Sequence, residues 1–196
     1  MDLSSEDIWK AHSERLEGIP PRGLLVRAIP FVLHRNEALD LGPGGFSDTK
    51  YLLSQNFMHV TAVDSADIGD RVSALSKSKL TFVQTSFEAF DFPEQRYDLI
   101  NAQFSLPFNP PETFTAVFEK IKKSLVSGGI YSGTFFGKKD SWNTTTSSLT
   151  FHSEEEVRAL LSDMDTLEFN EREWDGTIAS GEKKHWHVYG VIVRKA

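Results

Sequence analysis

The residues best suited to chemistry are a glycine turn and an acid that follows it. Asp40-Leu41-Gly42-Pro43-Gly44-Gly45 closes one short apolar run, and Asp64, with Ser65 beside it, closes the next, 22 residues on from Gly42. Glycines let the backbone turn tightly and let a ligand approach the main chain. A helix starting directly after them presents unpaired N–H groups. A carboxylate ending the second strand can accept both hydroxyls of a ribose. Together these features predict a nucleotide-binding end. The alternative reading is a bare turn with a helix-capping Asp.

Such residues work only if the chain places them at one edge of a sheet. A first helix is predicted over 5–15, with Ile8, Trp9, His12 and Leu16 on one side. Gly18-Ile19-Pro20-Pro21 breaks it. A second helix follows with Leu24, Leu25, Ala28 and Ile29 as its apolar face, ended or kinked by Pro30. Strands are then predicted at 37–41, 59–63, 80–84, 97–102 and 130–136. Helices are predicted at 47–55 and 68–76, a looser turn at 87–90, and a helix from Pro110-Pro111 to Gly128-Gly129. Strands alternating with helices imply a parallel sheet covered on both faces. Ser153 caps a further helix with Glu154, Glu155 and Glu156 in its first turn. The last two strands, 166–174 and 185–193, have no helix between them, so they pair antiparallel. In such a sheet ligands bind beyond the carboxyl ends of the strands, beside the first strand.

Composition narrows the field. A chain of 196 residues fits one ordinary domain. With no cysteine, disulfides, thiolate metal sites and cysteine nucleophiles are ruled out. The net charge of −7 disfavours a broad nucleic-acid surface. No segment has the ~20 apolar residues needed to span a bilayer. The acidic start, Met1-Asp2-Leu3-Ser4-Ser5-Glu6-Asp7, lacks the pattern of a secretory signal. The expectation is a cytoplasmic protein with no membrane or nucleic-acid partner; the oligomeric state is left open.

A dinucleotide fingerprint wants a glycine where Ser47 stands. There is no room for a second substrate domain, and the terminal hairpin also argues against an NAD-dependent oxidoreductase, which stays as the lesser alternative. With Asp40, Gly42 and Gly44 in their motif positions and Asp64 as the ribose acid, the chain resembles the class I S-adenosylmethionine (SAM)-dependent methyltransferases from about residue 37 onward. It departs at Phe46, which stands where the third glycine belongs. Tyr97-Asp98-Leu99-Ile100, Ser105-Leu106-Pro107-Phe108, Asp140-Ser141-Trp142 and Lys184-His185-Trp186-His187-Val188 are similar to the small bacterial tellurite-resistance-like subgroup.

That resemblance implies a Rossmann-like α/β fold: a seven-stranded, mostly parallel sheet with a C-terminal antiparallel hairpin and helices on both faces. It implies one domain over 1–196, with helices within 1–35 as a lid; Trp9 and His12, on one face of the first helix, either belong to that lid or simply pack, and packing is the plainer reading. It implies SAM as methyl donor and S-adenosylhomocysteine as product. Asp40, Leu41, Gly42, Pro43, Gly44, Asp64 and Ser65 then belong to the cofactor site. Ser86 and Phe87 fall beside the adenine, and Asn101, Ala102 and Gln103 beside the methionine part. Phe104 and Phe108 are pocket walls or core. Arg22 can meet the SAM carboxylate.

Methyl transfer from a sulfonium is a direct displacement, so alignment and dryness matter most. A base is needed only when the acceptor must lose a proton. Topology brings together the loops after strands four and five and the turn of the hairpin. His185 is the candidate base or orienting residue, with Asp140 and Trp142 from the strand-five loop as acceptor-positioning residues. A packed strand histidine, a turn Asp and an edge-covering Trp are the plainer readings. The expected acceptor is a small molecule; a non-catalytic SAM-binding protein is the alternative. Two signals are discounted. Asn109-Pro110-Pro111-Glu112 lacks the aromatic residue that would stack on a flipped base, and reads as a helix start. His152, His185 and His187 have no acidic ligand at short spacing, so no metal is expected.

Overall fold

The computed structural model describes residues 18–68, 78–178 and 181–196. The helix predicted at 5–15, with Trp9 and His12, and all but Ile68 of that at 68–76 lie outside the described residues. Eight strands form one sheet: β1 (Glu37–Leu41), β2 (His59–Asp64), β3 (Leu80–Gln84), β4 (Tyr97–Ala102), β5 (Leu125–Gly137), β6 (Phe151–His152), β7 (Met164–Thr177) and β8 (Lys183–Lys195). The main path runs β3-β2-β1-β4-β5-β8-β7. From β3 to β5 all pairs are parallel; β8 is antiparallel to both β5 and β7. The parallel sheet ending in an antiparallel hairpin is therefore as expected.

The described α-helices are α1 (Gly23–Ala28), α2 (Ser47–Ser54), α3 (Pro111–Ser124) and α4 (Glu154–Leu160). Pro30 falls within a 3₁₀ turn, Ile29–Phe31, that follows α1. In α3, Phe114, Val117, Phe118 and Ile121 recur at helical spacing and are all buried. Ser153 caps α4 and Glu156 reaches back to its N–H at 2.7 Å, which closes a capping box. Period-two alternation along β1 sends Leu39 and Leu41 to one face, against Phe118 and Ile121. It sends Ala38 to the other, against Leu25, Ala28 and Leu52. The sheet is thus covered on both sides.

Three boundaries differ from the sequence reading. The two-residue β6 is additional: β4 pairs with β5 only as far as Gly133, and Phe151–His152 take the vacant edge at Phe136–Gly137. β5 begins at Leu125, because α3 ends at Ser124 and Gly128-Gly129 lie in an irregularity of the β4–β5 pairing rather than at the helix end. The hairpin strands extend to Thr177 and back to Lys183, closer to the ligand edge than expected. No helix among the described residues is long and apolar enough to cross a membrane.

Candidate functional site

A cavity of about 1090 Å³ opens where the carboxyl ends of β1, β2 and β4 meet the loop after β5 and the tip of the hairpin. At one end lies the glycine turn. Gly42 holds φ +73° and donates to the Val63 carbonyl at 2.8 Å, tying the turn to β2. A Cβ on Gly42 would lie 2.4 Å from the Cβ of Ser105, so only glycine fits. Phe46, in place of the third glycine, adopts the left-handed conformation that glycine would supply, at φ +61°. Its ring is buried and meets Phe82 edge-on at 5.9 Å. Burial holds a backbone shape that the residue type disfavours.

Asp64 lines the cavity at the end of β2 and accepts the Ala66 N–H at 3.0 Å. Burial raises its pKa, and backbone N–H groups, that of Gly44 among them, oppose the rise. Gly42, Pro43, Gly44, Ser65, Ser86, Phe87, Asn101 and Gln103 also line the cavity. Ser86 serves its turn as well, accepting the Ala89 N–H at 3.4 Å. Asp40, Leu41 and Ala102 do not line it. Leu41 and Ala102 pack into the core, and Asp40 is buried in a polar cluster.

Asp40 acts through a polar cluster. Its carboxylate accepts Thr49 Oγ1 at 2.5 Å and Asn101 Nδ2 at 2.9 Å. Asn101 Nδ2 also reaches Asp48 Oδ2 at 3.1 Å, and Asn101 Oδ1 accepts Gln103 Nε2 at 2.8 Å. The other oxygen of Asp48 accepts the backbone N–H of Arg22 at 2.8 Å. Burial pushes Asp40 up to about 7, helped by the charge of Asp48 and opposed by Thr49 and Asn101. Arg22 is shifted down by burial, with Asp48 and Asp40 pulling the other way. Its guanidinium stacks over Phe104 at 4.6 Å. Asp48, on the cavity wall, was not singled out from the sequence. It looks there like any acid in the first turn of a helix.

The opposite end is aromatic, with Phe104, Phe108, Phe136, Trp142, Trp174 and Trp186. Trp142 is where its candidate role needs it. Asp140 is not: it is buried, paired with the ammonium of Lys184, and accepts the backbone N–H groups of Trp142 at 3.0 Å and His187 at 3.3 Å. It fixes the loop rather than facing the cavity. His185 does not line the cavity either. Alternation along β8 turns Trp186 toward the cavity and His185 away, where its Nδ1 lies 2.7 Å from Asp175.

His187 shares that outer face. Its Nδ1 accepts the Lys139 N–H at 3.0 Å, so Nε2 carries the proton and donates to Glu171 at 2.8 Å. Glu171, Glu173 and His187 place three ligand-type atoms within 4.8 Å. Lys139 already pairs with Glu173 at 2.7 Å and approaches Glu171 at 3.9 Å, which makes the group an ion-pair network. Among the described residues no histidine lines the cavity.

Residues 38–129 match a family model described as a methyltransferase domain, from β1 through the glycine turn to the start of β5. No curated protein matches the sequence. Among solved structures, TehB from Haemophilus influenzae is similar with a TM-score of 0.74 at 19% identity, over 89% of this chain. The chain spans 62% of that structure. The 1,6-didemethyltoxoflavin-N1-methyltransferase of Burkholderia thailandensis, with 1,6-didemethyltoxoflavin and S-adenosylhomocysteine bound, gives 0.67 at 18% identity, over 97% of this chain and 81% of that one. The 4+2 cyclase SpnF gives 0.67 at 12% identity, over 98% and 96%. At such identities the likeness shows the fold alone, and SpnF shows that the fold is compatible with other chemistry. Residues 38–129 are thus similar to a methyltransferase domain, and the sheet around them has the fold of these structural neighbours.

Proposed function

We propose that this chain, a methyltransferase by its matched domain, transfers a methyl group from SAM to a small-molecule acceptor. The observation that carries the reading is the shared wall of one cavity: the glycine turn, Asp64 and the Asp48–Asn101–Arg22 cluster at one end, aromatic rings at the other. On this reading the Asp64 carboxylate holds the ribose hydroxyls. Ser86 and Phe87 flank the adenine. Arg22 and Asp48 offer one charge of each sign at the same end, which suits the carboxylate and ammonium of an amino-acid moiety. Asp40 is a positioning residue that fixes Asn101 and the first turn of α2 from behind.

The sulfonium supplies a methyl group that is already activated. The protein's part is to align acceptor, methyl and sulfur and to exclude water. Trp142 supports the acceptor; Asp140 and His185 carry no role in the chemistry. The chain forms a single domain, and a lid at its N-terminal end is supported by Ile19, Pro20 and Arg22, which line the cavity. A small acceptor is supported by the ring-walled cavity and by the 1,6-didemethyltoxoflavin bound in the Burkholderia thailandensis structure.

The test is incubation with methyl-labelled SAM and a panel of small acceptors, following S-adenosylhomocysteine and label in product. Turnover with any acceptor supports the reading. Saturable SAM binding with no turnover across the panel would favour a non-catalytic SAM-binding protein.

A further inference from the structure

The six rings that wall the cavity away from the glycine turn belong to neither packed core of the sheet. All but Phe136 remain partly exposed. They contact one another: Trp174 and Trp186 stack at 5.7 Å with planes 10° apart, and Phe104 meets Trp186 edge-on at 5.8 Å. Phe104 also holds φ +55°, a conformation bulky residues rarely take. Covering the sheet does not account for this third aromatic cluster. A half-exposed cluster of rings is a binding surface more often than a packing remainder.

Charge defines what the surface accepts. The charged side chains among the described lining residues are Arg22, Asp48, Asp64 and Glu88. The first three belong to the glycine end, and Glu88 is engaged by Asn109 and Thr113, each at 3.2 Å. Beneath the rings, Lys184 is buried and lines no part of the cavity. Its ammonium lies 4.0 Å from the ring centre of Trp142 and 4.3 Å from that of Trp186. A positive charge behind these rings draws their π electrons away from the cavity, so the face they present to a second cation is less negative. Among the described lining residues an anionic acceptor would find Arg22 as the one cation. Ser105 also lines the cavity, and its buried hydroxyl has no partner among the described residues.

We propose that this wall seats the methyl acceptor and selects a flat, uncharged aromatic molecule bearing a nucleophilic heteroatom. The inference rests on the glycine end being the SAM site. A heteroatom lone pair forms a bond to the methyl carbon while the carbon–sulfur bond breaks, and that electron pair returns to sulfur. Any proton on the heteroatom leaves to water.

The experiment is calorimetric titration of the S-adenosylhomocysteine-saturated protein with quinoline, choline and 2-naphthoate. Quinoline is expected to bind, and the aliphatic cation and the aromatic anion about tenfold more weakly or not at all. Trp142→Ala and Trp186→Ala are expected to weaken quinoline about tenfold while leaving S-adenosylhomocysteine affinity within about twofold. Where an alanine variant fails to fold, Trp186→Phe should keep most of the quinoline binding. Equal binding of choline or 2-naphthoate, or no effect of either tryptophan variant, overturns the proposal. If S-adenosylhomocysteine does not bind, the cofactor reading fails. Quinoline titrated into the unliganded protein then decides separately: tryptophan-dependent binding upholds the aromatic seat, and no binding overturns it.

Discussion

Asp40 and Asp48 share one donor: the side-chain amide of Asn101 lies 2.9 Å from the first carboxylate and 3.1 Å from the second. Two acids held this close and this dry cannot both ionise cheaply. Burial and the charge of Asp48 raise Asp40 from an ordinary 3.8 to about 7. The folded protein therefore keeps a proton that the unfolded chain has lost. The stability tied to Asp40 is fully present below about pH 4 and is lost as pH rises toward 7. Thermal unfolding of the unliganded protein across that window should show its midpoint falling with pH relative to that of Asp40→Asn. Parallel slopes for the two proteins would contradict the assignment.

Gly42 and Ser105 give a second prediction. Gly42→Ala places a methyl group 2.4 Å from the Ser105 Cβ and strains a backbone at φ +73°. It should cost about 1–3 kcal/mol from strain alone, with the clash in addition. Adding Ser105→Gly removes the clash and leaves the strain. Denaturant unfolding of the singles and the double should reveal recovery of part of the loss. A double variant no better than Gly42→Ala would mean that the approach of the two residues is not what limits the turn.

The buried pair of Asp140 and Lys184 should behave as a structural unit. Asp140→Ala leaves an unpaired ammonium among rings and should cost about 3–5 kcal/mol, whereas Asp140→Leu with Lys184→Met should cost much less. Urea unfolding of both variants checks this. Equal losses would show that the pair's worth lies in its charge and not in the penalty of leaving one partner alone.

His185 and Asp64 separate the outer face from the cavity. Asp64→Ala should weaken SAM binding by about 1–3 kcal/mol, as expected for lost bonds to a charged acceptor. His185→Ala should leave SAM affinity and turnover unchanged, since its side chain turns toward Asp175. A collapse of turnover in His185→Ala would return it to the mechanism.

Much of this was legible beforehand. The mostly parallel sheet and its terminal hairpin follow from alternation, and the glycine turn with Asp64 marks the ligand edge. What escaped depended on contacts between distant segments. The orientation of His185 depends on strand register: sequence places it near the turn, and only pairing with Asp175 shows that its neighbour Trp186 takes the cavity side. Asp140 became visible as a structural residue only once Lys184, 44 positions away, lay against it. Asp48 gave no signal of its own, because its part in the site depends on Asn101 and Arg22 arriving from two other segments. The two-residue β6 is too short to carry a periodic pattern.

The central claim is that the glycine end is a SAM site. Calorimetric titration of the purified protein with SAM, S-adenosylhomocysteine and NAD tests it most directly. One-to-one binding of the first two, and none of NAD, is the predicted result. Binding of NAD alone, or of none of the three, would contradict it.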